Sequence, residues 1–310
     1  MAKTRSTVTK KRLKKQREYK SFRLAKKIKP SGKPLPGIYQ LFKQTIKLLL
    51  GNKKLFFGII AVYILLNLLL VNGLSLFTDF YTTKQEIEDS LAGQISGWSA
   101  ALALFGVLIN SASSSSSEAG GVYQLFLTLT ISLALIWAIR QVSAGEKIRV
   151  KQAFYLGLYP LAQFILVACV VILQLIPFLI GNFLLSTAIA NSIAITAVEI
   201  SLFIVVFVLL ALLSFYMVLS SIFALYIVTL PDMTPMKALR SARGLVLHRR
   251  LSVALRLLGL PILSLLFFVL IVLPLIYFLP FLAVLVFLIL SGMMLYFFHS
   301  YVYQLYRSLL

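Results

Sequence analysis

Long apolar runs, separated by short polar and basic segments, are the dominant pattern along this chain. A helix needs about 20 consecutive apolar residues to cross the hydrocarbon core of a bilayer. Runs of suitable length lie at about 55–77, 122–139, 156–180, 198–230, 257–278 and 281–299. The pattern therefore predicts an all-α polytopic membrane helix bundle with about six transmembrane helices.

Several features within these runs predict departures from straight helices. Pro160 and Pro177 are expected to bend the third span, because proline removes a backbone donor and kinks a helix. The fourth run is longer than one crossing needs, so its helix is either tilted or broken near Ser220 and Ser221. The link at residues 279–280 is so short that the fifth and sixth spans are predicted to form an antiparallel hairpin.

One apolar segment, Ile95–Ile109, is ambiguous. It is shorter than a standard span, and such lengths are typical of interfacial or re-entrant pieces. A small-residue face could pack it on another helix. We expect it outside, lying on the bundle and followed by the serine-rich run Ser111–Ser117, although re-entrant and spanning placements stay open.

Three basic amphipathic stretches precede spans, at Ile38–Leu50, Val150–Leu158 and Thr234–Leu247. Apolar residues at helical spacing opposite lysines and arginines are typical of helices that lie in a membrane interface. The pattern predicts cytoplasmic interfacial helices and a weak repeat of three helical hairpins. The alternative is that cytoplasmic loops in general share this basic, amphipathic character.

Charge changes the picture at the amino terminus. The net charge is +21, and 18 of the 30 lysines and arginines lie in the first 54 residues. Residues 1–37 are too polar to bury a core, which predicts a disordered polybasic cytoplasmic tail ahead of a helical membrane domain at 38–310.

The distribution of basic residues also predicts orientation. With six spans and the amino terminus inside, 29 of the 30 lysines and arginines are cytoplasmic and Lys84 is outside. An odd number of spans would place Arg307 outside. We therefore expect a multi-pass plasma-membrane protein with both termini in the cytoplasm and contact with the lipid bilayer.

The polybasic tail has three readings. It could bind anionic lipid headgroups, at about 1 kcal/mol per basic residue near the surface. It could contact ribosomal RNA or another nucleic acid through phosphates. It could also be a topology signal alone. The candidate contact residues are Lys10, Lys11, Arg12, Lys14, Lys15 and Arg17.

The membrane domain offers two further candidates. Its last basic loop is predicted to contact anionic lipid or a partner through Lys237, Arg240, Arg243, Arg249 and Arg250. Glu199 is the acidic residue nearest a long apolar run, which makes it a candidate intramembrane polar site. Its polar neighbours favour a position at the outer interface instead.

Enzymatic chemistry is not expected. His248 and His299 stand alone, and metal sites need three or four neighbouring ligands. The chain has one cysteine, Cys169, within an apolar run, and neither a phosphate-binding loop nor a nucleophile motif is present. We therefore predict no catalytic, cofactor-binding or metal-binding residues.

The segment from Ala224 to Arg243 reads A-L-Y-I-V-T-L-P-D-M-T-P-M-K-A-L-R-S-A-R. It resembles a pattern in bacterial six-helix membrane families that include the membrane domain fused to some glycerophosphodiester phosphodiesterases. The resemblance implies a fold over roughly residues 38–310. It implies no phosphodiesterase activity, because that chemistry belongs to a separate soluble domain that these residues lack.

Three functions are compatible with these features. The first is a non-enzymatic membrane protein that organises lipid or partners, with the tail as a tether. The second is a small-molecule or lipid transporter, which broken helices would favour and a midplane poor in charge disfavours. The third is a membrane anchor for ribosomes or nucleic acid.

Overall fold

The computed structural model describes residues 35–72, 118–191, 196–247, 249–267, 270–271, 274–275 and 280–310. Within these ranges the chain forms helices and no strands. The helices are α1 Ile38–Gly51, α2 Lys53–Asn67, α3 Glu118–Ser143, α4 Val150–Gly157, α5 Leu161–Leu173, α6 Ile176–Ala190, α7 Ala197–Ser221, α8 Ala224–Ile227, α9 Pro235–Val246, α10 Arg250–Phe267 and α11 Pro280–Leu309.

Six helical segments among the described residues are long and apolar enough to cross a membrane. They are Lys53–Leu70, Gly121–Ser143, Leu161–Ala188, Val198–Ile227, Arg250–Phe267 and Val286–Leu309. The prediction of a membrane helix bundle with six spans is confirmed. The polybasic tail, the segment at 95–109 and the serine-rich run after it lie outside the described residues.

The boundaries of the spans differ from the sequence prediction where charged or polar residues continue a helix. The fifth span begins at Arg250 rather than 257, since Arg250 and Arg256 lie within the first two turns of α10. The last helix runs to Leu309 rather than 299, because Tyr301, Val302 and Leu305 continue its buried face.

The third span is interrupted between α5 and α6. Its chain turns at Gln174 and Leu175, and Pro177 follows as the second residue of α6. Pro160 immediately precedes α5 and separates it from α4. Both prolines therefore mark helix boundaries, as their lack of a backbone donor favours.

The fourth span is also interrupted. α7 ends at Ser221, and the single turn of α8 follows after Ile222 and Phe223. Of the two predicted alternatives, a tilted helix or a break near Ser220 and Ser221, the structure shows an interruption directly after Ser221. α6 and α7 pack against each other as an antiparallel pair, with Gly181 close to the side chains of Phe207 and Leu210.

Each of the three amphipathic stretches forms a separate short helix with one buried stripe. α1 buries Leu41, Thr45 and Leu49, while its lysines are exposed. α9 buries Ala238, Ala242, Leu245 and Val246 and exposes its basic residues. Spacings of three and four residues place these apolar side chains on one face.

The middle stretch, α4, packs along the second span. The α-carbon of Gly157 faces Ala134 and Trp137 of α3, so closely that an added Cβ would lie 3.2 Å from the Ala134 Cα atom. Val150, at the other end of α4, contacts Gly58 of α2. The chain thus turns back after Ser143 and runs antiparallel to the span that it has just left.

Two apolar clusters hold the described helices together. One groups Leu41 of α1 with α8, α9 and the end of α11, around the fully buried Phe223 and Tyr301. The other joins α2, α3 and α11 around Phe56 and Tyr296, whose ring centroids are 4.6 Å apart. The packing brings the start of α10 and the face of α9 to the breaks in the third and fourth spans.

Candidate anion-binding site

The two interrupted spans are joined by polar contacts at Gln174. The hydroxyl of Ser214 donates to the backbone oxygen of Gln174 at 2.6 Å. The Gln174 amide in turn donates from Nε2 to Oγ of Ser221 at 2.9 Å. The first bond gives a partner to the Gln174 backbone oxygen, which lies at the break in the third span. Gln174 thus bonds between helices, as polar side chains within membrane spans commonly do.

Arginines approach this break from α9 and α10. Arg240 and Arg243 are three residues apart on α9 and therefore share a face. Arg250 is the first residue of α10, and its guanidinium carbon lies 4.6 Å from the ring centroid of Tyr216 on α7. This geometry is a cation–π contact, which orients the guanidinium over the ring.

A cavity of about 480 Å³ lies between these elements. It is lined by Val170 and Gln174 of the third span, Tyr216, Met217, Ser220 and Ser221 of α7, Met236, Leu239, Arg240 and Arg243 of α9, and Arg250 of α10. We call this cavity the arginine pocket. Its wall combines three guanidinium groups, hydroxyl and amide groups, and apolar side chains.

Electrostatics make the arginine pocket attractive to anions. Within the described ranges, Arg240, Arg243 and Arg250 form no ion pair with a carboxylate. Met236 and Arg250 lie in the first turns of α9 and α10, so the positive ends of two helix dipoles are also nearby. The combined field favours a ligand that carries negative charge.

Two buried polar atoms at the pocket have no hydrogen-bond partner among the described residues. They are Oε1 of Gln174 and Nε of Arg250. An uncompensated buried polar atom costs roughly 1–3 kcal/mol. Unpaired buried polar atoms are typical of binding sites or moving segments rather than of a passively packed core.

The length of α7 can be compared with the thickness of a bilayer. Thr196 caps α7, since its hydroxyl accepts from the Glu199 backbone N–H at 3.3 Å. At about 1.5 Å per residue, Ser214 and Ser220 lie roughly 27 and 36 Å along the helix from Thr196. The hydrocarbon core is about 30 Å thick. An upright α7 that begins at one surface therefore brings the pocket to the headgroup level of the other.

The remaining predicted contact residues lie elsewhere. Lys237 is exposed and Arg249 is half-buried, and neither lines the arginine pocket. The six candidate residues of the tail lie outside the described residues. The structure thus brings together three of the five basic residues predicted for the last loop.

Glu199 completes a capping box at the start of α7. Its carboxylate accepts from the backbone N–H of Thr196 at 3.1 Å, reciprocating the bond from Thr196. The side chain is exposed in the first turn of the helix. This geometry accounts for an acidic residue here by capping, and it agrees with a position at the end of the span.

Two arginines that the sequence did not distinguish have buried structural contacts. Arg140 donates from Nη1 to the backbone oxygen of Thr229 at 2.9 Å, and from Nη2 to the Tyr226 oxygen and the Thr229 hydroxyl. These acceptors follow and end α8, so Arg140 caps that helix from the second span. The sequence signal for this role was the position of Arg140, a basic residue at the end of a long apolar run.

Arg256 holds the chain that leads into α1. Its Nε donates to the backbone oxygen of Pro36 at 2.7 Å, and its Nη2 donates to that of Leu35 at 2.9 Å. The hydroxyl of Tyr301 donates to the Arg256 oxygen at 2.9 Å. Nothing in the local sequence links residues separated so widely along the chain.

A second cavity, of about 390 Å³, lies on the opposite face of α7. Its α7 lining is Phe215, Val218, Leu219 and Ile222, and the rest comes from α10 and α11. The wall contains no charged side chain, and the hydroxyl of Ser264 donates to its own helix at Pro261. This cavity is therefore apolar and has no feature that would select an anion.

No metal-binding group of three or more His, Cys, Asp or Glu residues occurs in the searched part of the chain. His299 is buried, with Nδ1 3.1 Å from the hydroxyl of Tyr226. That pairing gives the histidine a packing role between α8 and α11. Cys169 is exposed on α5.

The chain matches no family model, no curated protein and no solved structure. The six candidate spans agree with the architecture that the resemblance at residues 224–243 implies, whereas the comparisons identify no family.

Proposed function

We propose that this chain is a non-enzymatic plasma-membrane protein that binds an anionic phospholipid headgroup in the arginine pocket. The convergence of Arg240, Arg243 and Arg250 on one cavity carries the proposal. Guanidinium groups match phosphate oxygens through paired hydrogen bonds. The positive-inside expectation assigns this side of the bundle to the cytoplasmic leaflet.

The apolar part of the pocket favours a lipid over a soluble anion. Met217, Met236 and Leu239 lie beside the arginines in the same wall. A phospholipid presents an anionic head next to an apolar chain, and the lining offers both kinds of surface. The roughly 36 Å from Thr196 to Ser220 also favours the level where headgroups lie.

A transporter is the second candidate, and the paired breaks favour it. Discontinuous helices that meet at polar groups are typical of transport sites. The breaks at Gln174 and Ser221 meet in this way. Transport sites lie near the bilayer midplane, however, whereas the length of α7 favours the membrane boundary for this pair. The family suggested by residues 224–243 favours neither candidate.

The third candidate, an anchor for ribosomes or nucleic acid, depends on the tail at residues 1–37. In our proposal the tail adds electrostatic attraction to the same anionic surface. A form lacking residues 2–33 separates the tail from the pocket, since it leaves the described helices intact.

Native mass spectrometry after gentle extraction at low salt tests the proposal. The change is the triple variant Arg240→Gln, Arg243→Gln, Arg250→Gln. The control is Lys147→Gln, Arg149→Gln, Lys151→Gln, which removes the same charge from exposed positions just before and at the start of α4. We expect anionic phospholipid to remain on the wild type, the control and the tail-deleted form. We expect the pocket variant to lose it about tenfold or more, because charge-assisted hydrogen bonds contribute roughly 1.5–3 kcal/mol each.

Equal lipid retention by all four forms would reject the arginine pocket as the site. Equal loss from the pocket variant and the control would assign retention to net basic charge. RNA or a protein bound to every form except the tail-deleted one would favour the anchor.

A further inference from the structure

We infer that the arginine pocket selects a phosphomonoester lipid, such as phosphatidate, over the more common phosphodiester lipids. This inference rests on the proposed headgroup site and adds the chemical class of the ligand. The argument starts from the number and arrangement of positive charges on the wall.

Three guanidinium groups face one cavity, and the described residues supply no carboxylate to balance them. Arg240 and Arg243 are like charges three residues apart on one helix, an arrangement that destabilises a helix. A ligand with a single negative charge leaves most of this repulsion in place. A ligand with nearly two negative charges relieves more of it.

A phosphomonoester fits this charge. It carries about −1.5 to −2 charges at pH 7 and offers three acceptor oxygens. A phosphodiester carries one charge and two free oxygens. Each arginine presents several N–H donors in a planar fork. Three guanidinium groups on α9 and α10 can pair more completely with the three oxygens of a monoester than with the two free oxygens of a diester.

The inference predicts that the binding preference depends on pH because the ligand itself titrates. The second ionisation of a phosphomonoester lies near pH 6, so its head loses charge as pH falls from 7.5 to 5. The titratable groups on the pocket wall are Arg240, Arg243, Arg250 and Tyr216, and none of these side-chain types ordinarily titrates in that range. A diester keeps its charge throughout. The preference for the monoester should therefore shrink in acid.

One histidine needs a control. His248 lies two residues before Arg250 in the sequence and outside the described residues. Histidine titrates near pH 6.5. A His248→Gln background removes this group, so that the remaining pH dependence belongs to the ligand.

The test measures binding of phosphatidate, phosphatidylglycerol, glycerol 3-phosphate and inorganic phosphate to the full-length protein in neutral-lipid nanodiscs. At pH 7.5 we expect phosphatidate to bind about tenfold tighter than phosphatidylglycerol, which corresponds to about 1.4 kcal/mol. At pH 5 we expect the two lipids to bind within about threefold of each other. The same pattern should hold in the His248→Gln background, and the two soluble phosphates should bind weakly.

A conservative variant separates geometry from charge. Arg240→Lys with Arg243→Lys keeps both positive charges but removes the planar forks. We expect it to bind both lipids while losing most of the preference for phosphatidate. Circular dichroism checks that this double variant keeps the helix content of the wild type.

Each of the other outcomes would show which part of the account is wrong, the monoester inference or the headgroup site. Equal affinities for both lipids, lost together in the triple glutamine variant, would overturn the monoester inference and leave the headgroup site standing. Tight binding of inorganic phosphate would make the ligand soluble rather than lipid. Lipid binding that survives the triple glutamine substitution would overturn both the inference and the proposed function.

Discussion

Single arginines have sharply different roles in this chain, although their local sequences look alike. Arg140 caps the short helix α8 by donating to backbone oxygens. Arg256 donates to the carbonyls of Leu35 and Pro36. Arg250 instead faces the arginine pocket across the ring of Tyr216. Hydrogen bonds to backbone acceptors separate the structural arginines from the proposed binding ones.

The cap formed by Arg140 should be important for stability. Arg140→Met removes the donors to the Thr229 and Tyr226 oxygens and leaves buried acceptors unsatisfied. We expect the free energy of unfolding to fall by about 2–4 kcal/mol. The control, Arg307→Gln, removes an exposed arginine with one 3.4 Å bond to the Ser143 oxygen and should change stability little. Denaturation in detergent provides the measurement, and equal stability of Arg140→Met and wild type would reject the cap.

The sequence predicted the types of residue in the arginine pocket but only some of the residues that line it. The spacing of Arg240 and Arg243 was visible in the sequence. Tyr216 gave no signal, because one tyrosine within an apolar run looks like many others. Its role depends on Arg250, which approaches from another helix, and no local pattern encodes that contact.

At the level of elements, the short amphipathic helices were more predictable than their packing. Helical spacing of apolar residues identified α1, α4 and α9, because each must bury one stripe. The antiparallel packing of α4 on α3 was not evident, since it depends on Gly157 fitting against Ala134. Helix lengths were least predictable where the buried face of a helix continues through polar residues, as in α11 beyond His299.

The contact between α4 and α3 gives a test with a matched glycine. Gly157→Leu places a side chain where even a Cβ would meet the Ala134 Cα atom at 3.2 Å. We expect a loss of about 1–3 kcal/mol from overpacking. Gly244 lies on α9 with nothing within 4 Å of an added Cβ. Gly244→Ala should therefore stabilise the protein by about 0.5–1 kcal/mol.

Thermal denaturation of the two glycine variants in the same detergent compares them directly. A Gly157→Leu protein as stable as wild type would show that α4 does not pack closely on the second span. A loss of stability in Gly244→Ala would show that this face of α9 is covered.

At the scale of the whole molecule, the candidate spans differ in how much protein covers them. The α6–α7 pair exposes large apolar side chains such as Phe183, Leu202 and Leu209. The second span is half buried within the bundle, around Leu133 and Ile136. The six candidate spans give such exposed faces a natural environment in lipid.

The central claim is that this bundle holds an anionic headgroup between α5, α7, α9 and α10. The most direct measurement is a cryo-electron microscopy structure of the full-length protein in nanodiscs that contain phosphatidate. Our account predicts headgroup density within hydrogen-bond distance of Arg240, Arg243 and Arg250, absent from the triple glutamine variant. A pocket without headgroup density in the wild type, beside ordered lipid on the other basic loops, would contradict it.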